Sequence, residues 1–411
     1  FHDLLIAALD RTIAFPQVVD LTILVTEDLN LDVAGAGDHL FKIAFAVAKG
    51  GFGLAAAFKH LFLELVWPID GAHPAPATAP AESITATVAA GHPPVFRWVR
   101  MIDEVFEPRV QDALEGTGHE IAFTNQFGGA IAGVGEELEA IEMGLAELGT
   151  CQALFDPAKL AVQNVTYYTP FVSDDVRQVA TLMHGLHEEE PAMTRAYEEN
   201  GVVYIGAPIG IDDYLLMTTF PVESLEDLAG RKIAAPGAAI NWLSGTGAVG
   251  VSGNLTTYYN EIKTGVYDGA IVFASAALPG KLHEVAPYVT RFGLGAQFAG
   301  AICANAAWYE GLPPEVQDAL DAGADAAMAW YHDELEAAVE TAFAAMEDAG
   351  ATVTDASPAM RKAWAANMDN AAKEWAEGLD AQGRPGTEIL SAYMDAMREA
   401  GAAPLRDWDR E

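Results

Sequence analysis

Ser224-Leu-Glu-Asp-Leu-Ala-Gly-Arg-Lys-Ile-Ala-Ala-Pro236 is the stretch from which the rest of the chain can be placed. Ser224 suits an N-cap, and Glu226 and Asp227 fall in the first turn, where the helix dipole favours acidic side chains. Gly230 ends that short element; Ile233 then begins an apolar strand that Pro236 stops. A helical segment follows. In the run Gly253 to Gly269, Leu255, Tyr258, Tyr259 and Ile262 recur at helical spacing, and Gly265 suits the C-cap. Val266 to Phe273 reads as the next strand and Lys281 to Val285 as another helix start. Strand, helix, strand, helix, with the loops at one end, is the pattern of an α/β layer.

Three runs from this region, "SLEDLAGRKIAAPG", "YYNEIKTGVYDG" and "KLHEVAPYVT", resemble the extracytoplasmic solute-binding proteins of tripartite ATP-independent periplasmic (TRAP) transporters, of the dicarboxylate-binding (DctP) type. The resemblance continues to Trp308 and "LPPEVQDAL" (Leu312 to Leu320), and upstream to "ITATVAAGHPPVFRWVRMIDEVF" (Ile84 to Phe106). It implies a periplasmic binding protein-like α/β fold, with two lobes, a ligand cleft between them, a long bridging helix and C-terminal helices. It also implies a periplasmic receptor without a cofactor, which hands a small organic acid to small and large membrane permease subunits. A monomer is expected rather than a dimer.

The 411 residues suffice for two or three domains, and with 51% apolar residues and a mean hydropathy of +0.15 the chain reads as a soluble globular protein. A net charge of −37 opposes nucleic acid or an anionic membrane as partner, because their phosphates would be repelled. A heavily hydrated surface explains that charge more simply than a specific basic partner does. Cys151 and Cys303 are too few for a zinc site or a disulfide framework; in their apolar runs they read as buried free thiols.

Residues 1–83 lie outside the resemblance. The apolar segment Gly50 to Val66 is broken by Lys59, His60 and Glu64, too often for a membrane span. His73 to Ala81 is Ala/Pro-rich like a linker, and Thr78 or Ala79 with Ala81 has the small residues of a cleavage site. A secretory leader lengthened by a wrong start, an additional segment, and sequence not native to the protein remain as readings. The expectation is that Phe1 to Ala81 packs poorly on the rest and is protease-sensitive.

From Ile84 the pattern is regular. Ile84, Ala86, Val88 and Ala90 alternate as a strand that Gly91-His-Pro-Pro94 breaks. A helix carries Trp98, Ile102, Val105 and Phe106 on one stripe; Ile121 to Thr124 is a strand, Glu136 to Met143 a helix, and Ala146 to Ala153 a third strand. This βαβαβ order predicts a parallel sheet with binding loops at its carboxyl ends. Val165 to Phe171 reads as an extended crossover, Ser173 as the cap of a helix to Leu186, and Gly201 to Ile209 as a strand. Lobe I is thus expected over 84–204, with the chain returning to it over about 295–349; lobe II spans 205–294, and helices pack on the lobes over 350–411. Pro313 to Ala349 predicts one helix of roughly 55 Å. Two further helices are expected, Ala359 to Gln382 and Glu388 to Glu399.

No catalytic signature stands out, so the chain is expected to catalyse nothing. Gly247 to Gly253 superficially suggests a nucleotide loop but lacks a preceding strand and an acidic partner. His184 and His187, three apart without a third ligand, read as a solvated helix face, and no metal site is expected. The resemblance implies an Arg two positions before Pro236, where this chain has Ala234, and a second about twenty residues earlier, near Tyr214. Polar positions of the family become Leu255, Thr257 and Val272. The cleft-facing candidates are therefore His92, Asn125, Gln126, Gln152, Phe155, Lys159, Tyr168, Tyr214, Asn241, Trp242, Asn254, Tyr258 and Phe273. Trp242, Tyr258 and Phe273 suit a core equally well. Lys159 and His92 are the cations on which an acid could anchor, since a buried carboxylate needs a cation or several N–H donors. An aromatic cleft with few cations suits a partly apolar acid. A ligand sensor of the same fold, feeding a signalling partner, is the rival reading.

Overall fold

A computed structural model of the chain describes residues 82–411. The leader, linker and cleavage-site readings up to Ala81 lie outside the described residues. The fold is mixed α/β, with two sheets.

The first sheet starts as its alternation requires. β1 (Glu82–Ala90) buries its carboxyl half on both faces, leads through a turn into the helix α1 (Arg97–Met101, then Ile102–Phe106, then Glu107–Leu114), and pairs in parallel with β2 (His119–Phe127). Trp98, Ile102 and Phe106 bury the stripe read from the sequence, although Ile102–Phe106 is wound as a π-helical turn. After α2 (Glu137–Glu142), β3 (Leu148–Cys151) pairs in parallel with β1 on its other side.

The next segment departs from the expected extended crossover. Val165–Tyr168 is a short helix, α3, because its apolar and aromatic side chains pack into the core on consecutive positions and not on alternate ones. Next come α4 (Val176–Glu189) and α5 (Pro191–Glu198). Asp175, not Ser173, caps α4 by accepting the Gln178 N–H at 3.0 Å; Ser173 Oγ instead donates to Gln178 Oε1. His187 overturns the solvated-face reading. It is 2% exposed, stacks at 4.2 Å on Tyr204, and pairs its Nδ1 with Met183 O, so it belongs to the core.

β4 (Val202–Ile211) remains in the first sheet as far as Ile211, past residue 204, before the chain crosses to β5 (Tyr214–Thr218). The second sheet, in the order β11-β9-β5-β8-β6-β7, adds β6 (Lys232–Ala235), β7 (Val249–Ser252), α6 (Tyr258–Lys263), β8 (Gly269–Phe273) and β9 (Tyr288–Arg291). The opening stretch folds as read: the Asp227 carboxylate accepts the Ser224 N–H at 2.8 Å as a capping box requires, and β6 stops at Pro236. β7, an edge strand, is made from the glycine-rich run that superficially suggests a nucleotide loop.

The return strand β10 (Gln297–Asn305) lies antiparallel between β3 and β4, completing the first sheet as β2-β1-β3-β10-β4. That register corrects the reading of both cysteines. Cys151 faces Ala301 and Cys303 faces Gly149, so the two are diagonal neighbours on one face, with Cα atoms 5.8 Å apart, and they form a disulfide. A sequence separation of 152 residues conceals this pairing.

The long helix α7 (Pro314–Asp348) spans both sheets' cores. Val316 to Leu335 pack in the cluster that holds the first sheet, while Ala342 and Met346 pack with β5, β8 and β9. Gly323 allows close crossing, since a Cβ there would lie 2.6 Å from Val110 and 3.0 Å from Phe106 of α1. β11 (Thr352–Asp355) then adds an edge strand to the second sheet, and α8 (Pro358–Asn367), α9 (Ala371–Asp380) and α10 (Gly386–Glu399) end the chain. The expected single helix from Ala359 to Gln382 is two, because Asn370 starts a new one by capping Lys373 N. Among the described residues no helix is long and apolar enough to cross a membrane.

Candidate functional site

Between the two sheets lies a pocket of about 410 Å³, a figure that includes space open to solvent. The first sheet contributes His92, just beyond the end of β1, and Gln152, immediately after β3. These adjacent parallel strands release both side chains at the same end, as binding loops in such sheets require. The turn carrying His92 is fixed from two sides: Gly128 N–H donates to His92 O at 3.0 Å, and Gly91 N–H donates to the buried Glu137 carboxylate at 3.0 Å. Glu137 also accepts the Gly135 N–H at 2.6 Å, yet burial pushes its carboxyl up to about 7.

His92 Nδ1 lies 3.1 Å from Gln152 Nε2. With the Gln152 amide as donor, Nδ1 accepts, and the imidazole hydrogen is on Nε2, a buried atom without a hydrogen-bond partner among the described residues. Phe96 and Trp98 meet the His92 ring edge-on at 5.6 and 5.3 Å, and Phe155 lies 6.3 Å away. Burial lowers the imidazole to about 4, so it is neutral at physiological pH.

The second sheet supplies an aromatic wall. Tyr214 opens β5 and its hydroxyl lies 3.0 Å from that of Tyr167 on α3; Phe273 ends β8, with its ring 5.1 Å from Tyr214 and 6.0 Å from Trp98 of α1. Pro236, Leu255, Tyr258 and Val272 complete this side. Burial raises the Tyr167, Tyr214 and Tyr258 hydroxyls, which remain protonated donors. Among the described residues no Lys or Arg lines the pocket. Arg97, next to Trp98 in sequence, is turned to Glu334 of α7 at 4.0 Å.

Seven of the thirteen sequence candidates meet here: His92, Gln152, Phe155, Tyr214, Asn254, Tyr258 and Phe273. The other six lie elsewhere. Lys159 pairs with Glu142 at 2.7 Å on the surface. Asn125 and Gln126 belong to the outer strand β2, where Asn125 is exposed. Tyr168 stacks on Trp375 at 5.2 Å, and Asn241 is half-buried beside Trp242. Trp242 is fully buried one layer behind the wall: it stacks on Tyr167 at 5.8 Å, and its Nε1 donates to Tyr167 O at 2.7 Å. Sequence reasoning missed Trp98, Leu154, Tyr167, Ile209, Ile211, Ile271 and Ala299 as lining. Only the strand-end position of Ile209 and Ile211 signals them; Trp98 and Tyr167 look like core. Ala234, the position of the missing arginine, is buried with Tyr258 and does not line the pocket.

The crossover beside the pocket holds charge that the pocket lacks. Tyr214 N–H donates to Gly295 O and Leu294 N–H to Tyr214 O, both at 3.2 Å, tying the two connecting segments together. Asp213 accepts the Gly295 N–H at 2.8 Å; Asp212 accepts Ser275 Oγ–H at 2.5 Å and Ser275 N–H at 3.2 Å. Burial raises Asp212 to about 6 and Asp213 to about 7. Two bonded crossings and a helix that spans both cores are the elements a hinge uses.

Residues 105–378 match the family model of the bacterial extracellular solute-binding proteins, family 7. Solved structures agree in fold. A TRAP periplasmic solute-binding protein from Desulfovibrio salexigens is 19% identical, with 77% of this chain and 97% of that one covered and a TM-score of 0.66. An extracytoplasmic solute receptor from Bordetella pertussis that binds pyroglutamic acid is 19% identical (75% and 99% covered, TM-score 0.65). A TRAP periplasmic solute-binding protein from Bordetella bronchiseptica with bound (R)- and (S)-mandelate is 18% identical (77% and 99% covered, TM-score 0.65).

Proposed function

We propose that this chain, which belongs to family 7 of the bacterial extracellular solute-binding proteins, is the periplasmic receptor of a TRAP transporter. It captures a small organic acid with a largely apolar body between its two sheets. It then delivers that acid to the small and large membrane permease subunits, and it works by binding, without turnover. The observation that carries the ligand class is the pocket's asymmetry: one polar end, His92 with Gln152, faces a wall that is aromatic and aliphatic apart from Asn254, and among the described residues no cation lines it. Apolar rings gain from burial against Trp98, Tyr214 and Phe273, while a single acid group can be met at the polar end. The relatives with pyroglutamate and mandelate in place support acids of this size. No observation favours the rival reading of a sensor for a signalling partner.

A melting scan of the purified chain against aromatic, cyclic and aliphatic monocarboxylates, dicarboxylates and uronates tests this. A ligand that binds only the folded state raises the melting temperature by mass action, by about 2.7 kcal/mol of stability at a hundred times its Kd. Aromatic or cyclic monocarboxylates are expected to give the largest rises. Silence across all the acids would reject the ligand class.

A further inference from the structure

We propose that binding of the acid is coupled to the uptake of one proton from water, held on His92 while the ligand carboxylate lies against Nε2. The inference rests on the organic-acid reading above and specifies its chemistry. His92 Nε2 is buried, unpartnered and part of the pocket wall, the one ring atom free to meet a ligand. A carboxylate brought against a neutral imidazole, with no Lys or Arg among the described lining residues, would be met by neutral donors alone, and a buried charge without a compensating cation is costly. One proton removes that cost: the carboxylate keeps its charge, Nδ1 gains a hydrogen, and the imidazolium donates from Nε2. The Gln152 amide need only turn over, presenting its oxygen to Nδ1–H where it now presents its nitrogen.

The other titratable groups around this end are few. Glu137 of α2 holds the turn through Gly91, and Asp156 follows Phe155; both are pushed up by burial, to about 7 and about 6. Tyr167, Tyr214 and Tyr258 on the opposite wall stay protonated. The empty-site imidazole, at about 4, is neutral where free carboxylates are ionised, so both partners arrive without the proton they share.

Calorimetric titration of the full chain with mandelate and with pyroglutamate, in buffers of different ionisation enthalpy, measures the protons taken up. About one proton per ligand is expected at pH 6.5, with the apparent Kd rising about tenfold per pH unit between about pH 5.5 and 7. Uptake should shrink as the pH falls through about 4, where free His92 is already charged. The uncharged amides of the two acids should bind without uptake and without pH dependence. In His92→Gln, affinity for the acids should fall at least about thirtyfold and uptake vanish, while the amides change less than about threefold. Acid binding that is independent of pH and takes up no proton would overturn the inference and leave the receptor reading standing. So would uptake that persists in His92→Gln, because the proton would then reside on Glu137 or on the ligand. If no acid binds at all, the receptor's ligand class fails and the inference with it.

Discussion

Within four residues the chain treats charge in opposite ways. Ile211 and Tyr214 line the pocket, whereas Asp212 and Asp213 between them turn into the crossover and bury two carboxyls. The pocket is apolar with a neutral imidazole; the crossover keeps acids where backbone and hydroxyl donors can hold them. In a chain of net charge −37, a ligand site for an acid must be cleared of fixed negative charge, and among the described residues no fixed positive charge replaces it. The crossover acids instead pin β5, the Gly295 segment and the helix start at Ser275 to one another. The pocket should therefore fail in binding when altered, and the crossover in folding.

The largest effect expected from that division is Asp212→Ala. It strands the Ser275 N–H and hydroxyl in a buried site, and urea unfolding should show a loss of about 3 kcal/mol. His92→Gln should stay within about 1 kcal/mol of the parent in the same measurement, since it exchanges one polar side chain for another at the edge of an existing pocket. Equal losses from the two would erase the distinction between binding end and structural crossover.

Asp213 sharpens the comparison through pH. Its carboxyl titrates near 7 in the folded chain against 3.8 when unperturbed, because burial outweighs the Gly295 N–H it accepts. The folded state thus holds the proton more tightly than the unfolded state. The stabilisation this gives is complete below about pH 4 and is lost as the pH rises through about 7. Asp213→Asn keeps an acceptor for Gly295 without the charge. It should leave stability at pH 4 nearly unchanged and raise it at pH 8 by about 1–2 kcal/mol, allowing for the partial exposure of the side chain. A parallel downward shift at both pH values would mean that the carboxylate form is the one the crossover needs.

The sequence displays what short-range chemistry determines. Ser224 with Asp227, Gly265 with its φ of +77°, Pro236 and the Pro313–Gly350 limits of the long helix are local signals, and each marks an element or its end in the structure. Register is not local. Cys151 meets Cys303 only because β10 runs antiparallel to β3, and β7 and β11 are recognisable as strands only through the edges they cover. The site divides along the same line. His92, Gln152 and Phe273 follow strand ends and are legible there. Trp98 and Tyr167 lie on helices, where a buried aromatic stripe looks the same whether it faces a pocket or a core. Trp242 is the converse, an aromatic at a plausible position that packs behind Tyr167 and never reaches the lining.

Lys159 gives the smallest effect and the cleanest separation from His92, because both follow strands of the first sheet and both read as anchors for an acid. Position after a strand sets which end of the sheet a residue occupies, but not whether its side chain turns to the pocket. Lys159 is about one-third exposed, and its ammonium is tied to Glu142, which raises its ordinary value further. Exposed pairs of this kind contribute about 0–1 kcal/mol, screened by salt. Lys159→Ala should therefore change stability by no more than about 0.5 kcal/mol and leave mandelate affinity and proton uptake as they were, measured by the same calorimetry. A tenfold loss of affinity would instead place the anchoring charge outside the pocket, reaching the ligand on closure, and would transfer to Lys159 the role given to His92.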